Sequence, residues 1–210
     1  MKKKIFFLVL ALITYNSSFA QESEEKLIKK TFDNYKSSIL NGKGEEAVNY
    51  VDSQTINYYS NILGKIINAD STIINSLGLL DKLIILSIRH QVESKDILSF
   101  NGQGLFVHAI EKGMIGKNSV NNNTIGDIEI NEDFAKGQLI SSGQKTPFHL
   151  HFHKENNKWK FNLTSTFSIG EVAFKKIQED SGQEENEYLI MLLEIISGKK
   201  PDNKIWHAIQ

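Results

Sequence analysis

The chain has 210 residues, 24 Lys and Arg against 25 Asp and Glu, and a formal net charge of −1 at pH 7. That balance leaves no electrostatic footprint for nucleic acid, and with no cysteine there is no disulfide, thiolate nucleophile or cysteine zinc site. The length suits one domain with an appendage better than two domains.

Residues 1–20 read as a secretory signal. Lys2, Lys3 and Lys4 precede the apolar run Ile5–Ile13, and Ser18-Phe19-Ala20 offers small residues at a signal peptidase site, so cleavage is expected after Ala20. The run is too short to span a bilayer, which takes roughly 20 apolar residues, and no later run is long enough, so the mature chain is expected to have no membrane span. Removing three Lys and no acidic residue moves the net charge from −1 to −4. The exported product is expected in the periplasm or the medium. Arg89 is the only arginine beside 23 lysines, which reads as codon bias of an AT-rich bacterial genome.

Glu24–Leu40 predicts an amphipathic helix, with Ile28, Phe32, Tyr35 and Ile39 on one stripe and Gly42 and Gly44 ending it. A short helix is expected over Glu45–Val51. Ser53 is placed to cap a third helix through Ile56, Tyr59, Ile62, Leu63 and Ile66. Asp70-Ser71 offers a new start, with helical spacing from Ile73 to about Gln91, and Leu79–Ile88 is apolar enough to be buried. Leu105–Met114 predicts a further short helix, and Lys117–Thr124 a loop. Gly102-Gln103-Gly104 lacks the third glycine and the preceding strand of a dinucleotide site.

The period then changes to two. Ile125–Ile130 and Ala135–Ser141 predict strands joined by the turn Asn131–Asp133. Phe148–Leu163 reads as a hairpin whose inner face is Phe148, Leu150, Phe152, Trp159, Phe161 and Leu163, with a turn at Lys154–Lys158. Short turns between successive strands imply an antiparallel meander. Helical spacing returns after Thr166, breaks at Asp180–Asn186, and resumes over the apolar Tyr188–Ile196.

Helices followed by a four-stranded meander argue an α+β domain with the helices on one side of the sheet. Three stretches carry a family resemblance: the opening helix with its short follower Glu45–Val51, the turn NEDFAKG at Asn131–Gly137, and KENNKWKFNL at Lys154–Leu163. With these the chain resembles the nuclear transport factor 2-like superfamily, of cystatin-like fold, over roughly Glu24–Phe167. The resemblance implies a cone-shaped antiparallel sheet with the N-terminal helices on its concave face. It divides the chain into a cleaved signal at 1–20, the α+β domain at 21–167 and a C-terminal helical extension at 168–210. Enzymes of the superfamily carry an Asp base or an Asp–His pair in the cavity between sheet and helices. No such pair maps onto this sequence, and the inner strand positions have no acid–base capacity.

The candidate site residues follow from chemistry. His149, His151 and His153 share one strand face at spacings of about 7 Å, which suits a shared metal ion, although that face lies opposite the aromatic core. Arg89, at the end of the most apolar helix, either snorkels outward or enters a pocket. His108, beside Glu111, is a candidate general base. Tyr59 and Trp159 are candidates to line an apolar cavity with Arg89 and His108. No cofactor is expected. The reading is an exported, non-catalytic protein that binds a small apolar ligand or a protein partner, as a homodimer through the outer sheet face. The alternative is a cofactor-independent isomerase or hydrolase using His108 or Arg89.

Overall fold

The computed structural model describes residues 24–209. The expected signal at 1–20 lies outside them. The fold is mixed α+β, with one open four-stranded sheet of order β1-β2-β3-β4 and all neighbours antiparallel. Two compact units share the chain, each built from two segments. Residues 24–52 and 115–162 form the first, and residues 53–114 and 163–209 form the second. Thus the C-terminal helices belong to the same unit as residues 53–114.

In the first unit, α1 (24–40) buries Ile28, Phe32, Tyr35 and Ile39, the stripe read from the sequence. Gly42 ends it at φ +65°, a left-handed conformation that costs glycine little, and the Lys43 N–H returns to the Ser38 carbonyl. A one-turn helix α2 (Gly44–Ala47) and a 3₁₀ turn (Val48–Tyr50) follow, and Val51 pairs in parallel with Phe161.

The strands are β1 (Asn123–Asn131), β2 (Phe134–Ser141), β3 (Gln144–Glu155) and β4 (Lys158–Asn162). The β3–β4 turn is tighter than the sequence suggested. Only Asn156 and Asn157 form it, at φ +50° and +59°, the left-handed pair that a two-residue hairpin of matching twist requires. Phe32, Tyr35 and Phe152 surround Phe161 with ring centroids 5.1–5.5 Å away, close enough to add aromatic pairing to simple burial.

Two expected core positions differ. Phe148 is exposed, because β4 pairs only with His151–Glu155 and the β2–β3 register slips between Gln138 and Ile140, which leaves Phe148 beyond the covered part of the sheet. Leu163 lies past the end of β4 in a 3₁₀ turn, where its N–H donates to Thr55 Oγ1 at 3.0 Å.

The second unit is helical: α3 (Ser53–Asn68), α4 (Ser71–Asn75), α5 (Leu79–Gln91), α6 (Ser94–Ile97), α7 (Gly102–Glu111), α8 (Phe167–Asp180) and α9 (Glu185–Ser197). The helical spacing from Ile73 to Gln91 is split between α4 and α5. Asp70 caps α4 by accepting the Ile73 N–H at 2.9 Å. The start of α5 is capped from a distant helix, since the Glu171 carboxylate accepts the N–H groups of Leu79 and Leu80 at 2.6 and 2.8 Å. Two first-turn donors and the positive end of the helix dipole thereby meet one negative charge.

As expected, α5 is buried on most sides, and its one buried lysine, Lys82, ion-pairs with Glu185. α9 buries Tyr188, Leu189 and Leu193 and ends at Gly198 in a left-handed conformation, while Ile195 remains 69% exposed. Among the described residues, no helix is long and apolar enough to cross a membrane.

Candidate functional site

The first unit's polar candidate lies on the sheet face opposite the aromatic core. Alternation puts His149, His151 and His153 on that face, in register with Gln138, Lys136 and Phe134 of β2. The Phe134 ring packs against both His151 and His153, with centroids 5.3 Å from each. Burial pulls the His151 imidazole below its ordinary value, and the neighbouring Lys136, His153 and His149 add to the effect.

The three histidines share a face but do not converge. Among the described residues no group of three or more His, Cys, Asp or Glu side chains is arranged to hold a metal ion. His153 has a different partner: its Nδ1 lies 2.8 Å from Oδ2 of Asp52, a fully buried carboxylate. The Asp52 N–H donates to the Phe161 carbonyl at 3.0 Å, so the bridge at Val51 fixes the backbone that presents the acid. This arrangement sets the imidazole's orientation and leaves Nε2 as its second polar atom, the geometry in which an acid orients a histidine for proton transfer.

Trp159 is buried and held by its own unit. Its Nε1 donates to the Glu24 carboxylate, Lys154 lies over the ring at 5.6 Å, and Lys154 Nζ donates to Glu24 at 2.9 Å. These contacts, Lys154 first, hold the Glu24 carboxyl below its usual range.

The other three candidates, Tyr59, Arg89 and His108, belong to the second unit. Tyr59 is sealed against Tyr58 and Phe106, and burial pushes its phenol up. Neighbouring Tyr58 donates to Asp81 at 2.6 Å, and Lys65 donates to the same carboxylate at 3.1 Å.

Arg89 has a structural task. Nε donates to the Ile66 carbonyl at 2.7 Å, Nη2 to Lys65 and Ala69 at 3.2 and 2.7 Å, and Nη1 to Ile205 at 3.0 Å. The guanidinium therefore closes the C-terminal end of α3, whose last carbonyls lack partners inside the helix, and ties it to the tail. It also faces a cavity of about 670 Å³ lined in part by His90, Asp202, Lys204 and His207.

His108 borders a separate cavity of about 430 Å³ with Glu93, Asp96 and Lys112 in its wall. Its ring packs on Phe100 with centroids 5.0 Å apart, and among the described residues Nε2 has no hydrogen-bond partner. Burial lowers its affinity for a proton, and Lys112 adds to this while Glu111 and Asp96 oppose it.

Sequence reasoning missed Asp52, Lys204 and His207. Asp52 immediately precedes Ser53, whose suitability as a cap drew the reading, and nothing local announces an acid whose partner is 101 residues away. Lys204 and His207 lie in a tail with too little periodicity to place. No protein-family model, curated protein or solved structure matches the chain.

Proposed function

We propose that the chain is an exported bacterial binding protein without catalytic activity, whose first unit is a cone-shaped, nuclear transport factor 2-like domain with its N-terminal helices on the concave face. The closed aromatic core carries the reading. Tyr35, Phe152, Phe161 and Trp159 are each at most 3% exposed, so the space where enzymes of that superfamily hold substrate is filled by side chains. The open cavities lie outside that core: two of about 670 and 430 Å³ in the helical unit, and one of about 430 Å³ in the first unit beside Thr31, Tyr50 and Trp159, all within the range of small-molecule sites.

Native mass spectrometry of the mature protein purified from its own cells tests this. Added mass from a retained ligand or partner is expected, or twice the protomer mass if the outer sheet face joins two copies. Bare protein at protomer mass speaks against it.

A second reading rests on the Asp52–His153 pair. An acid-oriented histidine supports a cofactor-independent hydrolase or isomerase, with His153 rather than His108 or Arg89 as the base. Neither Asp52 nor His153 lines the cavities described above, which is why this reading comes second. Turnover of a chromogenic ester panel that disappears in His153→Gln would reverse the order.

A further inference from the structure

The cavity beside Arg89 carries positive charge that its own walls do not neutralise. Arg89 and Lys204 are cationic, His207 adds an imidazole, and Asp202 is the only acid among the lining residues. Asp202, whose Oδ1 accepts the Lys204 backbone N–H at 2.8 Å and caps the 3₁₀ turn Asn203–Trp206, offsets one of the two cations and leaves the other in surplus. Among the described residues, no carboxylate lies within ion-pairing distance of Arg89 or of Lys204 Nζ.

The four carbonyls that hold Arg89 satisfy its N–H groups without cancelling its charge. They use four of the five donors a guanidinium offers, which leaves one N–H on Nη1. They also fix the group rigidly, so a ligand would meet a cation that loses little freedom on binding. Burial lowers the Arg89 pKa, because partial removal from water disfavours the charged form. Ile97 and Ile205 give the same cavity an apolar wall.

We propose that this cavity binds a small organic oxyanion, its carboxylate or phosphate head directed to Arg89, Lys204 and His207 and its short apolar body against Ile97 and Ile205. The proposal rests on the reading of the chain as a binding protein, and it gives that protein's ligand a charge and a place.

Calorimetric titration of the mature protein with octanoate, octyl phosphate, 1-octanol and octylammonium tests it. At least one of the two anions should bind one to one with a Kd below about 1 mM, a modest demand for ligands of this size. It should bind at least tenfold more tightly than the alcohol or the ammonium. The better of the two anions distinguishes a carboxylate site from a phosphate site. The double variant Lys204→Gln with His207→Gln changes two exposed side chains and leaves Arg89 in place; it should weaken the anion at least fivefold with an unchanged melting curve.

Equal binding of 1-octanol overturns the proposal, as does no anion binding below 1 mM or an unaffected double variant. If the anions fail while native mass spectrometry still finds a retained ligand or partner, this site falls and the binding function stands. If both fail, both fall.

Discussion

Asp52 and His153 are 101 residues apart in the chain, and their side chains meet at 2.8 Å. The acid is fully buried, while a quarter of the imidazole's surface is exposed. A buried carboxylate needs hydrogen-bonding partners to offset its lost hydration, and His153 supplies one of them. Asp52→Ala is therefore expected to destabilise the fold by about 2–4 kcal/mol, and Asp52→Asn, which retains an oxygen acceptor, by about half as much. Urea denaturation of the two variants checks the order. Wild-type stability in Asp52→Ala would show that the pair contributes nothing to the fold.

Arg89 is predicted to matter for stability before any ligand is considered. Lysine keeps the charge but concentrates its donors at one point, so it cannot reach four carbonyls spread over the end of α3 and Ile205. Arg89→Lys should cost about 2–3 kcal/mol, because carbonyls that were paired lose their donors. Amide exchange should quicken in the tail around Ile205. If unfolding and exchange both match wild type, the guanidinium is not the clasp between these segments.

The legible parts of this molecule are those whose signal is local. The stripe Ile28, Phe32, Tyr35 and Ile39 faces inward as its spacing requires, and the two-residue alternation through Leu150, Phe152, Trp159 and Phe161 marks the buried sheet face. Phe148 has the same alternation, yet it is exposed because coverage depends on how far β4 extends, which the strand's own residues do not encode. The sites are less legible still. His153 is visible as one of three alternating histidines, but its acid comes from another segment. Arg89 is conspicuous as a lone arginine, but its four acceptors are backbone groups, which every sequence possesses.

Gly102 and Gly104 offer a contrast within one helix. A Cβ at Gly102 would sit 2.7 Å from the Ser60 backbone nitrogen and 2.9 Å from the Ile56 carbonyl oxygen, both fixed parts of α3. A Cβ at Gly104 would meet nothing closer than 3.4 Å. Gly102→Ala should thus force α7 away from α3 and cost about 2–3 kcal/mol by overpacking. Gly104→Ala should be neutral or stabilise by about 0.5 kcal/mol through helix propensity. Thermal melts separate the two. Equal tolerance at both positions would contradict the close approach of α7 to α3, and with it the structural reason for glycine at position 102.

The pH dependence of stability has a definite sign. Burial lowers the His108 and His151 pKa values below the ordinary 6.5, while the unfolded chain keeps that ordinary value. Below pH 6.5 the unfolded state therefore binds more protons at these positions than the fold does, so stability falls as the pH drops through that value. The loss stops once the pH is below the folded values, where both states are protonated. Above pH 7.5 neither histidine contributes a slope. His108→Gln and His151→Gln cannot titrate, so each should lose less stability than wild type between pH 7.5 and 5.5. The two residues belong to different units, and independent sites contribute additively, so the double variant should show the sum of the two effects. Urea midpoints across that range, wild type against each variant, read the difference directly and separate it from Glu24, whose carboxyl is held below its usual range by Lys154 and Trp159. A wild-type slope that survives both substitutions would assign the acid sensitivity elsewhere. A steeper slope in His108→Gln would mean that the fold stabilises the charged imidazole, reversing the role given to burial beside Phe100.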